Sequence, residues 1–459
     1  MTALEKFLEA SEKKAFDREH RKTLLYNISK YSQKVKEGQK QFSNMELART
    51  RAAAIKQKAI DNLEKYLIEF EANFTRRGGK VIWAQDSEEA LKEVLQIMKR
   101  ASAKTVVKSK SMTTEEIDFN EELKKAGIES IETDLGEYIV QLREEPPYHI
   151  VTPAMHLSKQ EVAKTFNEKK GTPLEWTPEQ ITTYVRLQLR ERYSKAEVGV
   201  TGANFLVADA GAVALTENEG NGLMSTAFPR VQIVIAGIEK VIPSVADLDL
   251  FWPLLATFGT GQHITVYNTL YSGPKQSGET DGPEEMYVIL LDNGRTNVLA
   301  ETEQRRALSC IRCGACLNVC PVYQTVGGHA YGTTYSGPIG SVITPHMKGM
   351  EEYKHLSFAS TICGKCTDVC PVKIDIHNLL LLNRKQSVDR GLSAKTENWV
   401  WHFWKKAMLK RGKMDKGGAK IKNFMLKQFF KKQYGERRDI PEVAAKSFNQ
   451  QWRERKGIK

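Results

Sequence analysis

Residues 310–321 read CIRCGACLNVCP and residues 363–371 read CGKCTDVCP. All seven cysteines of the chain stand in these two stretches, as Cys310-x2-Cys313-x2-Cys316-x3-Cys320-Pro321 and Cys363-x2-Cys366-x3-Cys370-Pro371. A cubane iron–sulfur cluster needs thiolates converging on one small volume. Cysteines spaced by three residues wrap a tight loop around one face of it. The last cysteine, followed by proline, is carried past that loop, and in two-cluster ferredoxins it reaches the other cluster. On that rule Cys310, Cys313, Cys316 and Cys370 hold the first cluster. Cys320, Cys363 and Cys366 contribute to the second. Tetrahedral zinc favours C-x2-C pairs separated by a long gap, which two near-copies of the longer motif fit badly. Seven bunched cysteines are also no disulfide framework.

The second set is one thiol short. The missing ligand should stand three residues before Cys363, where the chain has Ser360. A [3Fe–4S] centre needs only three cysteines. A [4Fe–4S] centre could take the Ser360 oxygen or water on its fourth iron, or a partner protein could supply the ligand. The preferred expectation is two [4Fe–4S] clusters, the second with a non-cysteine fourth ligand. His329, His346, His355 and His377 flank the cysteines without Rieske-type spacing, and they read as structural or surface residues.

Outward from the cysteines, 459 residues are too many for one ordinary core. Residues 1–75 read as a charged helical segment without proline, with Leu63, Tyr66, Leu67 and Phe70 in helical spacing. Residues 76–300 alternate between helices and short apolar strands. The strand candidates are 81–84, 105–108, 149–152, 205–208, 212–216, 231–237, 264–268 and 286–292. Such β-branched runs between helices predict an α/β domain with a largely buried sheet. Thr113 or Thr114 is expected to cap a helix running to Lys125, and Thr177-Pro178 to open another. Residues 301–390 hold the cysteines, with the Gly-rich segment Gly327–Gly340 between the two motifs as a docking or shielding loop, or a plain connector.

Residues 391–459 carry 19 Lys and Arg against 6 Asp and Glu, and so hold about the whole net charge of +12. They read as a basic helical tail with a hinge at Gly417-Gly418. Trp399, Trp401, Phe403 and Trp404 read as an interface anchor or, the preferred expectation, as the buried stripe of an amphipathic helix. A basic tail suits a membrane surface or an acidic protein. No nucleic-acid motif accompanies it, so nucleic acid is not an expected partner. No apolar run reaches the roughly 18 residues of a membrane span. The first 22 residues are charged throughout, and the expected location is cytoplasmic.

Two longer strings carry a family resemblance. CIRCGACLNVCPVYQTVGGHAYGTTYSGPIGSVITP (310–345) and STICGKCTDVCPVKIDI (360–376) resemble the lactate utilization protein B (LutB/YkgF) family. GVTGANFLVADAGAVALTENEGNGLMSTAFPRVQIVIAGIEKVIPS (199–244) resembles that family's LUD domain. The likeness covers roughly residues 70 to 390 and includes the serine at position 360. It implies an α/β LUD domain of the sugar-isomerase and CoA-transferase type, joined to a helical two-cluster ferredoxin-type domain with helical extensions at both ends. It also implies cluster ligands at Cys310, Cys313, Cys316, Cys320, Cys363, Cys366 and Cys370. The implied role is electron transfer during oxidation of L-lactate to pyruvate. The implied partners are a CCG-domain iron–sulfur protein and a second LUD-domain protein.

The sequence shows no dinucleotide fingerprint in a strand–turn–helix setting and no nucleophile beside a base, so a non-catalytic electron-transfer subunit is the leading expectation. The alternative is an enzyme acting through the LUD domain. Thr216-Glu217-Asn218 follows an apolar strand and looks like the glutamate-bearing turn of CoA transferases, but a plain strand-end turn is the preferred reading.

Overall fold

The computed structural model describes residues 1–414, 418–431 and 438–458. They divide into two units, Met1–Ser387 and Val388–Lys459. The centre of the first is a six-stranded parallel sheet. Its strands are β1 (Lys80–Ala84), β2 (Thr105–Lys108), β3 (Glu129–Glu132), β4 (Val198–Thr201), β7 (Val231–Gly237) and β10 (Glu285–Leu291), in the order β1-β10-β7-β4-β2-β3. A second sheet, in the order β8-β5-β6-β9, uses β5 (Phe205–Val207), β6 (Ala212–Glu217), β8 (Val241–Ile242) and β9 (Tyr267–Tyr271).

Every residue of β7 is buried, as expected of a parallel strand covered on both faces. Ile233 and Ile235 face a core built with Ala90, Val94, Ile97, Phe119 and Leu123. Val234 and Ala236 face the opposite core, with Leu67, Phe70 and Phe74. The alternation follows from the two-residue period of a strand. In β4, Gly199 has no substitute: a Cβ there would lie 1.8 Å from the Ser225 carbonyl oxygen.

The N-terminal segment is four helices rather than one: Ala3–Phe16, Arg18–Gly38, Met45–Asp61 and Leu63–Arg76. Asp17 and Asn44 interrupt it because each side chain caps the following helix, accepting from His20 N and Leu47 N. Phe7, Leu24, Ile28 and Ala52 from these helices share a core with Cys313, Cys320, Cys366, Cys370, Tyr323, Ile339 and Val342. The helices are therefore part of the framework that surrounds the cysteines.

Several local expectations change. Residues 149–152 are not a strand. The buried His149 Nδ1 accepts from the backbone N–H groups of Val151 and Thr152, which would otherwise serve a ladder. The expected strand at 264–268 begins instead at Tyr267, because the Thr265 and Asn268 side chains bond each other at the turn. The edge strand β3, ESIE, has too few apolar residues to stand out in the sequence. Ser111, not Thr113 or Thr114, caps a short helix at Met112–Glu116. Asp118 in the left-handed region then separates it from Phe119–Lys125. Thr177 caps Pro178–Lys195 as the sequence reading has it.

In the second unit, the helix Lys395–Met408 contains no buried residue, so Trp399, Trp401, Phe403 and Trp404 are exposed and not a buried stripe. Of the expected hinge, Gly417 lies outside the described residues, and Gly418 opens the helix Gly418–Phe429. Among the described residues, no helix is long and apolar enough to cross a membrane.

At the carboxyl ends of β7 and β10 a buried ion network ties the sheet to the cysteine-bearing segment. Arg295 donates to Glu239 (2.5 Å) and to both oxygens of Glu116 (2.8 and 2.8 Å). The Tyr335 hydroxyl donates to Glu116 (2.6 Å), and Arg312 reaches Glu239 at 3.4 Å. Burial opposes ionisation of Glu239, but Arg295 and Arg312 hold it down at about 2. Removing one partner of a buried pair strands the others without solvent. Arg295→Ala is therefore expected to cost about 3–5 kcal/mol, read as a clear drop in Tm by circular dichroism. An unchanged Tm would contradict the reading.

Candidate metal centre

The two cysteine loops have one backbone shape. In the first, Arg312 and Gly314 adopt φ of +60° and +77° before the helix Ala315–Val319. In the second, Ile362 and Gly364 adopt +53° and +81° before Lys365–Asp368. Glycine enters this region freely, but a β-branched isoleucine does so at a cost of order 1–3 kcal/mol. The surroundings must therefore impose the loop shape. The leading residues also match. Arg312 N donates to Cys310 Sγ at 3.4 Å, and Ile362 N donates to Ser360 Oγ at 3.2 Å. Ser360 thus occupies in the second loop the position that Cys310 occupies in the first.

Cys310, Cys313, Cys316 and Cys370 line one cavity, walled by Ile150, Ile311, Ile339, Val372, Ile374 and Ile376. Three of these thiols come from the first motif and one from the second. Ile374 N donates to Cys370 Sγ at 3.3 Å. Burial pushes the Cys370 thiol up to about 11 and raises Cys313 and Cys316 further. A nearby cationic core would be needed to hold them as thiolates.

Cys320, Cys363 and Cys366 form the other group, close enough for their charges to perturb one another. Burial pushes Cys366 up to about 11. Cys363 is exposed, and hydrogen bonds from the Lys365 backbone and the Thr361 side chain lower its pKa. Cys366 also lies within electrostatic reach of Cys316, so the two groups adjoin. None of the seven cysteines is paired in a disulfide.

The surroundings of the first group suit an anion. The Arg312 guanidinium is buried, stacks over the Tyr335 ring at 4.1 Å, and leaves Nε and Nη1 without a hydrogen-bond partner. Lys56, also buried, donates to the carbonyls of Glu239 (2.7 Å) and Val241 (3.2 Å). Burial pulls Lys56 down to about 7 and Lys240 to about 8, while the nearby Glu239 and Cys310 pull each back up. A cubane core with four thiolates carries net negative charge, so buried cations and unused N–H donors beside these cysteines fit such a group. Soft sulfur donors with backbone N–H groups aimed at them fit it as well.

From the N-terminal helices, Arg49 holds the backbone of the second motif, donating to the carbonyls of Cys370 (2.9 and 3.1 Å) and Asp368 (2.8 Å). Arg306 donates to the Val372 carbonyl at 3.2 Å. Sequence reasoning missed Arg49, Lys56, Glu239, Arg295 and Arg306. They come from distant segments and follow no motif. Only Arg312, inside the first cysteine loop, had a local signal.

The flanking histidines engage oxygen acceptors and donors. His329 pairs with the Pro146 carbonyl, His346 with Asn383, His355 with the Glu352 carbonyl and His377 with Thr367. In the α/β domain, both Glu217 oxygens accept backbone N–H groups, from Gly222 (2.6 Å) and Leu223 (2.8 Å). The carboxylate therefore closes the turn into the helix Asn221–Ala227.

Comparison with known proteins agrees with this division. Residues 67–291 match the LUD domain model, and residues 306–374 match the 4Fe-4S dicluster domain model. Lactate utilization protein B of Shouchella clausii is 44% identical over 360 residues, which is 78% of this chain and 76% of that protein. Lactate utilization protein B of Bacillus thuringiensis is 46% identical over 350 residues, 76% of this chain and 74% of that protein. The uncharacterized electron transport protein YkgF of Escherichia coli is 44% identical over 349 residues, 76% of this chain and 73% of that protein. With a LUD domain, a dicluster domain and this identity over three quarters of its length, the chain belongs to the lactate utilization protein B/YkgF family.

Proposed function

We propose that this chain is the electron-transfer subunit of a multi-protein system that oxidises L-lactate to pyruvate. Its proposed partners are a CCG-domain iron–sulfur protein and a second LUD-domain protein. The observation that carries the reading is the cavity lined by cysteines of both motifs. Cys310, Cys313, Cys316 and Cys370 are assigned to one [4Fe–4S] cluster. Cys320, Cys363 and Cys366 are assigned to a second, with Ser360 at its fourth iron. When bound, such clusters carry single electrons, at potentials set by charge, burial and hydrogen bonds to sulfur.

The chain's own residues would differentiate the two sites. The Arg312 guanidinium puts positive charge beside Cys310, and Lys56 and Lys240 add to it when protonated, which favours electron gain there. Mostly apolar side chains wall that cavity. Exposed Cys363 makes the second site the natural contact for a redox partner. The names of the relatives support lactate as the donor substrate. An enzyme acting through Glu217 receives less support, because both of its oxygens are committed to backbone N–H groups.

Anaerobically purified protein is expected to hold about eight irons with the EPR signals of two cubanes on reduction. Ser360→Ala should make the second centre lose its fourth iron readily, giving about seven irons and a three-iron EPR signal on mild oxidation. Ser360→Cys should resist that loss. Colourless protein containing zinc would overturn the cluster assignment, and a Ser360→Ala variant as robust as the parent would remove Ser360 from it.

The isolated chain should not reduce a dye with L-lactate, and adding the two partner proteins should restore turnover. Lactate oxidation by the chain alone would contradict its place as a carrier.

A further inference from the structure

Among its described residues, the unit Val388–Lys459 shows no buried core of the kind the first unit folds around. Its helices Lys395–Met408, Gly418–Phe429 and Phe448–Lys456 contain no buried residue. Their apolar residues are nonetheless large and ordered by helical period. On Lys395–Met408, Trp399, Val400, Trp401, Phe403, Trp404 and Met408 occupy a broad sector. Lys395, Asn398, His402, Lys405 and Lys406 fill the opposite side, and Thr396 and Glu397 interrupt the sector only in the first turn. Trp399 is 64% exposed, and its ring packs against Phe403 at 4.4 Å, so the sector is preformed. Gly418–Phe429 repeats the arrangement, with Ile421, Phe424, Met425 and Phe429 exposed on one side and Lys420, Lys422 and Lys427 flanking them.

We propose that this unit docks on an anionic lipid surface. Charge complementarity is the first argument: 19 basic residues against 6 acidic ones cannot be neutralised within the segment, and each Lys or Arg near an anionic bilayer adds attraction. Chemistry is the second. Four of the chain's seven tryptophans, Trp399, Trp401, Trp404 and Trp452, are in this segment, and all four are exposed. Tryptophan favours the headgroup boundary, where its ring is buried and its N–H stays wet, and flanking lysines extend their stems over apolar surface to reach the phosphates. Length is the third. Fourteen residues in Lys395–Met408 fall short of the roughly 20 needed to span a bilayer, so the helix would lie in the interface plane. A nucleic acid would be drawn by the same charge but would not need a contiguous aliphatic and aromatic sector. An acidic protein could also bury tryptophan, but lysine stems flanking the rings on a helix too short to span favour the bilayer boundary.

The test is sedimentation of the full, cluster-loaded chain with vesicles of phosphatidylcholine alone or mixed with phosphatidylglycerol. Binding is expected on the mixed vesicles with a blue shift of tryptophan emission, and it should fall as salt rises. Trp399→Ser combined with Trp404→Ser should weaken it by about tenfold or more. Lys405→Glu combined with Lys406→Glu should do the same. Cluster absorbance in each variant reports that the first unit is intact. Equal binding to phosphatidylcholine alone, or undiminished binding of both double variants, would overturn the proposal. So would capture by polyglutamate or RNA with no vesicle binding, since a different partner would then own the surface.

Discussion

Cys370 has to stand among Cys310, Cys313 and Cys316, and much of the first unit can be understood as the means of keeping it there. The thiol belongs to a motif that begins more than forty residues after the loop it joins. Chain entropy opposes such a long-range meeting, and the three thiols of the first motif would not hold it alone. The N-terminal helices and the turn before the first motif supply the restraint. Arg49, from the former, binds the carbonyls of Cys370 and Asp368, and Arg306, from the latter, binds that of Val372. Phe7, Leu24, Ile28 and Ala52 close the same core from outside. Charge-assisted hydrogen bonds to backbone carbonyls fix position without depending on neighbouring side chains, which suits a loop whose shape must not drift.

The same arrangement joins the parallel sheet to the cysteine loops through electrostatics. Arg295, Glu116, Glu239, Arg312 and Tyr335 form one buried network, with residues from the sheet's carboxyl edge and from the cysteine-bearing segment. Burying such charges is costly, and the cost is tolerated only where each is paired. The unused N–H groups of Arg312 break that rule in the absence of an anion. This is why the structure reads as built for a negatively charged group. The α/β domain thus contributes the Glu239 carboxylate that holds Arg312 in place, and a rigid edge. Its own turn at Glu217 is closed by backbone N–H groups.

Much of this was legible in the sequence for physical reasons that can be named. β7, VQIVIAG, stands out because a strand buried on both faces must be apolar throughout. The cysteine spacing reveals the chemistry because it is nearly the chemistry itself. By contrast, β3 is short, lies at the edge and carries two glutamates. Residues 149–152 look like a strand until His149 captures the backbone donors. The cations around Cys310 arrive from separate segments, so no local pattern announces them. The tryptophans at 399–404 show helical amphipathicity, which indicates that one face avoids water but not what covers it.

The central claim is crossed use of the two motifs, and EPR of reduced single-cysteine variants tests it most directly. If the claim is right, Cys370→Ala loses the same cluster signal as Cys310→Ala. Cys320→Ala then loses the same signal as Cys363→Ala. If Cys370→Ala instead matches Cys363→Ala, and Cys320→Ala matches Cys310→Ala, each motif holds its own cluster and the account is wrong.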